Sequence, residues 1–423
     1  MKSKNVLTAA LSAASICFAA SAHAEEPCGA HISRTNVVRC AWAASLTVRI
    51  EERTEEAALG RRESVSRLLP SNPVLSMNLS RRETASEVVP NWDATLSQEL
   101  EVAGQRGLRR DSADEEVLAQ NKRVEIARRD VAAVAWATYF EVIAARDERE
   151  LVDRQIETAT AVSRAVHARA DKGLIAPLDA DVADAALLRL VQSKLTAERA
   201  LAVATASLST LEGIDLSTAL TVEGDLAPVD VEREARSALL QSIDTRPEVQ
   251  SAEAERRAME LRADAYRRAR VPNPTLSVFV RNDEINDHVI GVGLAFPIPV
   301  PGIGRVYSGE VAESEALARR AQAESDRARR TIRLAITTAL QAYESRRAET
   351  EIFSADRLQR AEDGLKAIAA EVDAGRLTVR DAVVTQQALI DVLLANVEAH
   401  HQLAHASVEL ARAAGISLEG GRR

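Results

Sequence analysis

From Val74 to Ser80 the side chains alternate, with Leu75, Met77 and Leu79 opposing Ser76, Asn78 and Ser80. Trp92, Ala94 and Leu96 alternate in the same way with Asp93, Thr95 and Ser97. Further on, Leu276, Val278 and Val280 oppose Ser277, Phe279 and Arg281, and Ile290, Val292, Leu294 and Phe296 oppose Gly291, Gly293 and Ala295. A period of two predicts four strands with one apolar face, paired as two hairpins across polar loops around 81–91 and 282–288. Everywhere else the spacing is helical, as at Val383, Leu389, Ile390, Leu393, Leu394 and Val397. Neither Gly nor Pro interrupts 108–172, so a helix there would be roughly 100 Å long. The last proline is Pro301, which leaves only glycine to break helices over 302–423.

The pattern is written twice. Residues 173–216 return at 375–418 with a constant offset of 202, pairing Gly173 with Gly375, Asp179 with Asp381 and Gly213-Ile214 with Gly415-Ile416. Asn72-Pro73-Val74-Leu75-Ser76 returns as Asn273-Pro274-Thr275-Leu276-Ser277, and Leu96–Gly104 returns as Leu294–Gly302. Duplicated halves set the organisation: a first repeat over 25–212 with its hairpin about 72–100, a link over 213–232, a second repeat over 233–418 with its hairpin about 273–299, and a tail over 419–423.

Lys2 and Lys4 precede an apolar stretch from Val6 to Ala20, and Ala22-His23-Ala24 is a small-x-small cleavage site. Residues 1–24 therefore read as a secretory signal peptide. Ile16 before Cys17 and Pro27 before Cys28 are poor matches to a lipoprotein signal, so the mature chain is expected to be unlipidated. Losing two lysines takes the formal charge from −9 to −11, which argues against a nucleic-acid partner. After the signal, no uninterrupted apolar run reaches the ~18–20 residues of a spanning helix. Cys28 and Cys40 survive processing, either as a disulfide or as two free thiols in an N-terminal arm.

Aromatic residues at 3% are too few for a thick globular core and fit coiled-coil seams of Leu, Val and Ala. Four strands cannot close a barrel, and open strand edges cannot face lipid. Periodicity leaves two architectures open: several copies sharing one membrane barrel, or a soluble four-stranded sheet capping a helical bundle.

The order helix, hairpin, long helix, Gly-containing turn, helix, given twice, resembles the TolC family of outer-membrane efflux proteins. The resemblance is carried by Arg246-Pro247-Glu248, by Pro272-Asn273-Pro274-Thr275-Leu276-Ser277, and by Gly291-Val292-Gly293-Leu294 running to Pro297-Ile298-Pro299. It is carried also by the turns Lys172-Gly173-Leu174-Ile175-Ala176-Pro177-Leu178-Asp179 and Ala374-Gly375-Arg376-Leu377-Thr378-Val379-Arg380-Asp381. It spans about residues 46–418. Gln98–Arg106 is most similar to the CzcC-type, heavy-metal efflux branch, with Glu99 where that branch carries Pro and Ala103 in place of a Gly.

The resemblance implies a mainly α chain with a small β part, internally duplicated as a long antiparallel coiled-coil barrel. Four strands per chain would join a shared 12-stranded transmembrane barrel in a homotrimer. It implies no enzymatic activity and no cofactor. The role it implies is that of an outer-membrane exit duct for a resistance-nodulation-division pump, joined by a periplasmic membrane-fusion adaptor, with divalent heavy-metal cations or organic compounds as cargo. An equatorial region would combine the N-terminal segment, the 213–232 link and the C-terminus. Gly173, Leu174, Gly375 and Arg376 would lie at the periplasmic tip against the adaptor. Asp179 and Asp381 would form carboxylate rings at its gate; read from the residues alone, both are first-turn helix acids. Val384 stands where some relatives place a second aspartate.

His401 and His405, with His400 beside them, have metal-ligand spacing but read equally as solvated or packed side chains. No phosphate loop, nucleophile motif or acid–base pair is present. The rival class is a periplasmic coiled-coil scaffold or adaptor. An adaptor should carry a lipoyl-like β domain and one helical hairpin, whereas this chain repeats its hairpin.

Overall fold

The computed structural model describes residues 28–83, 88–229, 240, 242–282, 288–298 and 306–419. The signal segment 1–24 and the last four residues of the tail lie outside them. In chain order the elements are β1 His31–Ile32, α1 Val37–Ala44, α2 Leu46–Ser66, β2 Val74–Glu83 and β3 Val88–Glu99. Next come α3 Gln105–Asp171, α4 Pro177–Leu211, β4 Thr221–Val222, α5 Pro247–Arg268, β5 Thr275–Asn282 and β6 His288–Ala295. Last are α6 Ser308–Ile352, α7 Ala355–Asp373 and α8 Val379–Ala414.

The uninterrupted stretch after Gly104 forms α3, a single helix of 67 residues. It is the spine of the molecule. Towards the sheet it packs with α2 and α5, and towards the opposite end with α4, α7 and α8. The seam of that far half consists of small and β-branched residues such as Val162, Val166, Ala183, Ile368 and Ala382. In the second half the helix is split. α6 ends at Ile352 and α7 begins at Ala355, although neither Gly nor Pro stands there. This corrects the expectation that only glycine breaks 302–423: Gly309 and Gly364 lie inside helices, and Ser354 leaves the helical region with ψ 145°.

At mid-length the helices pass a compact collar. Trp136, Tyr139 and Phe140 of α3 are buried together with edge and tilted ring contacts at 5.4–5.6 Å. The Trp136 Nε1 donates to the Leu418 carbonyl at 3.2 Å, and the Tyr139 hydroxyl donates to that of Glu223 at 2.7 Å. Val37, Ala41, Leu226 and Val229 complete the cluster. The N-terminal segment, the link and the C-terminal segment thus meet on one stretch of α3. β1 and β4 pair in parallel there, His31 with Thr221. Cys28 and Cys40 form a disulfide that ties the arm to α1.

The four long strands make one antiparallel sheet in the order β2-β3-β5-β6. Pairing runs further than the alternation predicts, out to Glu83 opposite Val88, and Pro90 lies inside β3 opposite Arg81. Its carbonyl accepts from the Asn282 Nδ2 at 3.0 Å. One helix, α8, is long and apolar enough to cross a bilayer by length and composition, although no uninterrupted apolar run stood out there. Its Ile390 and Leu393 are buried in the helical seam and its Val408 in the collar.

Candidate functional site

The two ends of the helical stalk carry the candidate sites. At the sheet end, the register places side chains in rows across all four strands. Leu75, Leu96, Val278 and Val292 form one row, and Met77, Ala94, Val280 and Ile290 the next. Gln98, Leu276 and Leu294 continue it towards the helices, and Leu79, Trp92, Asn282 and His288 away from them. These four rows cover about 20 Å along the strands. The apolar side chains of this face are uncovered, with Leu79 at 84% and Val292 at 77% exposure. The opposite face carries Ser76, Asn78, Asp93, Thr95 and Ser277. Gly291 leaves room for the Phe279 ring on that face, into which an added Cβ would run. The outer edges of β2 and β6 have no partner strand among the described residues.

At the other end, two turns reverse the chain. α3 stops at Asp171, and Gly173 takes φ +68°, so that its N–H reaches the Ala170 carbonyl at 2.9 Å. α7 stops at Asp373, and Gly375 takes φ +74° with its N–H on the Val372 carbonyl at 3.0 Å. The left-handed conformation costs a side-chain-bearing residue ~1–2 kcal/mol, which accounts for glycine at both corners. Leu174 is exposed beside the first corner. Arg376, beside the second, is exposed and holds Glu371 in a bidentate ion pair at 2.6 and 2.7 Å. That bond keeps the Glu371 carboxyl below its ordinary range.

Asp179 and Asp381 each lie in the first turn of a new helix. Asp381 is exposed and locked into the cap of α8. Thr378 Oγ1 accepts from the Asp381 N–H at 3.1 Å and donates to its carboxylate at 2.7 Å. Asp179 is half-buried, follows Pro177, and its carboxylate has no partner among the described residues. Only the second aspartate is thus part of a capping arrangement. Val384 is exposed one turn along.

Arg169 joins the two corners. Its Nη1 donates to the Val372 and Asp373 carbonyls at 2.8 and 3.0 Å, crossing from α3 to the end of α7. Sequence spacing gives no signal for this bond, because the acceptors are backbone carbonyls 203 and 204 residues away. Nearby, the Ser163 hydroxyl donates to Asp184 at 2.8 Å and the His167 Nε2 stands 3.1 Å from the same carboxylate. Ser163, then His167, hold the Asp184 carboxyl below its ordinary range. The carboxylate sits between hydroxyl and imidazole, so the imidazole does not touch the hydroxyl and the order needed to activate a nucleophile is missing. On α8, the His401 Nδ1 stands 3.7 Å from Glu398, and burial lowers the His400 pKa. Among the described residues no group of three or more His, Cys, Asp or Glu side chains is arranged to hold a metal.

Residues 49–213 match the family model described as outer membrane efflux protein. The whole fold is similar to that of VceC, an outer membrane protein of Vibrio cholerae, at 17% identity and TM-score 0.73, covering 92% of this chain and 96% of that one. It is similar also to the open state of the MtrE outer membrane channel of Neisseria gonorrhoeae, at 17% identity and TM-score 0.73, with 92% and 91% covered. A third likeness is to CusC, whose structures concern conformational changes accompanying folding and transmembrane channel formation, at 15% identity and TM-score 0.73, with 90% and 91% covered. No curated protein matches the sequence. The fold is that of outer-membrane channel proteins.

Proposed function

We propose that this chain is an outer membrane efflux protein that works as a homotrimeric exit duct, with its sheet in the outer membrane and its helical stalk in the periplasm. One observation carries the reading: a four-stranded sheet with one uncovered apolar face, one polar face and two edges left open among the described residues. In water the apolar face would be left unburied, and in lipid the open edges would be unsatisfied. Both problems vanish when copies close a common barrel, apolar outside and polar within. Three copies would supply twelve strands. Exposed Leu178, Leu188, Leu195 and Val203 on α4 suit helix seams between copies.

The duct performs no chemistry. Solute would enter at the corners around Gly173 and Gly375, delivered by a resistance-nodulation-division pump through a periplasmic adaptor seated on Leu174 and Arg376. Asp179 and Asp381 would surround the entrance as rings that favour cations. The similarity of Gln98–Arg106 to the heavy-metal branch supports divalent heavy-metal cations as cargo. The repeats over 25–212 and 233–418 would each supply one hairpin and one tip corner, with the 213–232 link in the collar.

The test is cell fractionation followed by native mass measurement after mild detergent extraction. A trimer in the outer-membrane fraction is expected. A soluble monomer or dimer in the periplasm would sink the duct and promote the coiled-coil scaffold. Cargo is tested by a deletion strain, which should become sensitive to divalent heavy metals; sensitivity confined to organic compounds would reassign it.

A further inference from the structure

The apolar face of the sheet does not stop at the last strand pair on the helix side. Phe296 and Ile298 follow the alternation of β6 beyond its end, Leu68, Leu69, Val102 and Val271 stand in the other segments that join helices to strands, and all six are exposed. Guanidinium groups are placed among them. Arg67 follows α2, and Arg268 and Arg270 close α5 and open the passage to β5. All three are exposed, and none has a carboxylate partner among the described residues. They differ in this from their neighbours, since Arg109 is paired with Glu101 at 2.6 Å and Arg267 with Asp264 and Glu315.

These two junctions are built, not loose. The first turn of α3 holds both. Arg106 donates from Nε to the Arg67 carbonyl at 2.9 Å and from Nη2 to the Ser66 carbonyl at 2.6 Å. Gln105, 2% exposed, donates to the Asn273 Oδ1 at 3.1 Å and towards the Arg268 carbonyl at 3.5 Å. Arg67 on one side and Arg268 with Arg270 on the other are therefore fixed to one helix turn, at the edge of the apolar face. The far end of the sheet is different in kind. There Trp92 lies 6.3 Å from the His288 ring, and Arg81 is neutralised by Glu83 at 2.7 Å.

We infer that this helix-side rim is a docking surface for the phosphate headgroups of anionic phospholipid. The inference rests on the membrane reading given above and adds to it a lipid class and a leaflet. Apolar side chains reach the acyl boundary, and guanidinium groups without counter-charge stand where headgroup phosphates begin. Arginine presents a planar fork of donors that matches phosphate oxygens. Among the described residues, the cations without a carboxylate partner at the border of the apolar face lie on the helix side, whereas Arg281 at the far end lies on the polar face over the Phe279 ring. The preference therefore belongs to the leaflet facing the stalk.

The test uses the purified full chain, reconstituted into vesicles of phosphatidylcholine alone or with phosphatidylglycerol of matched acyl chains. Co-purifying lipid is then counted by native mass spectrometry. The wild type should retain phosphatidylglycerol over phosphatidylcholine by about tenfold, and salt should weaken the preference. The triple variant Arg67→Gln, Arg268→Gln, Arg270→Gln should fall to within about twofold while keeping its helix content and oligomeric mass. A stalk control, Arg347→Gln with Arg360→Gln, should keep the full preference. Equal retention of both lipids by the wild type, or an undiminished preference in the triple variant, overturns the inference. Displacement of the lipid by millimolar inorganic phosphate also overturns it, by making the site one for free phosphate. Failure to enter vesicles of either composition would sink the membrane reading itself, a result distinct from entry without preference.

Discussion

The guanidinium of Arg169 donates to the Val372 carbonyl at 2.8 Å, so the corner of the first helix pair is tied to the corner of the second by one side chain. The same Nη1 reaches the Asp373 carbonyl at 3.0 Å. Both acceptors close the last turn of α7, where carbonyls carry the negative end of the helix dipole, and the Val372 carbonyl accepts from the Gly375 N–H as well. The repeat gives the equivalent position to Glu371, which bonds Arg376 in its own corner instead. The latch therefore works in one direction only.

Arg169→Ala should release the corners from each other at a cost of about 1.5–3 kcal/mol locally, because the lost hydrogen bonds involve a charged donor. In the duct reading the entrance then opens more easily. Single-channel conductance in planar bilayers should rise and large solutes should gain entry, with oligomeric mass unchanged. Unaltered conductance would separate the latch from gating. Arg169→Lys should be intermediate, since one nitrogen reaches both carbonyls and the shorter lysine keeps the charge without the reach of the guanidinium.

The corner glycines should respond unequally to alanine. At Gly173 an added Cβ meets nothing within 4 Å, so Gly173→Ala costs only the left-handed backbone, ~1–2 kcal/mol. At Gly375 the Cβ would stand 2.8 Å from the Arg169 Nη1, and Gly375→Ala adds the loss of the latch. Denaturant midpoints should rank wild type, Gly173→Ala, Gly375→Ala. In an Arg169→Ala background the difference between the two alanine variants should vanish; a difference that persists would locate the extra cost elsewhere.

Charge on the sheet should discriminate its two faces. Val292→Arg puts a cation on the apolar face and should cost about 2–4 kcal/mol if that position lies near the bilayer midplane. Ser277→Arg, on the polar face, should be tolerated for insertion. Insertion into vesicles, scored by protease protection of the sheet, measures both. Equal tolerance would mean that lipid does not cover the apolar face.

The strands were legible because a buried or lipid-facing sheet leaves a period of two that few other structures produce, as at Leu75, Met77 and Leu79. The tip corners were legible because left-handed backbone requires glycine, twice, at Gly173 and Gly375. The break at Phe353-Ser354 was not, since no residue there forbids helix; the equivalent Leu151 and Val152 lie within α3. β1 and β4 have two residues each, too few for any periodicity, and owe their pairing to the collar around Trp136. The Arg169 latch was invisible because its acceptors are backbone atoms, to which any residue type contributes alike. Cys28 and Cys40 allowed one connectivity, but only the docking of the arm on α1 brings their Cα atoms to 5.6 Å.

Reduction of that disulfide should loosen the collar. The cysteines are 12 residues apart, and closing a loop of this size lowers the entropy of the unfolded chain by about 3 kcal/mol. Cys28→Ser should lower the denaturant midpoint accordingly and match the wild type under reductant. The stalk seams around Val162 and Ile390 meet the collar only at half-buried Val397, so helix content should persist below the transition.

Glu212 predicts a pH dependence. It caps α4 with 3% exposure, neither carboxylate oxygen has a hydrogen-bond partner among the described residues, and burial pushes its pKa up to about 8. An unfolded glutamate titrates near 4.5. Between those values the folded chain keeps a proton that the unfolded chain has released, so stability falls as pH rises. The slope reaches about 1.4 kcal/mol per pH unit and flattens above the folded pKa. Glu212→Gln keeps the shape of the protonated acid and cannot ionise. The variant should match the wild type near pH 4.5 and exceed it at pH 8, as read from urea midpoints across that range. A wild-type slope that survives in Glu212→Gln would assign the dependence to another group.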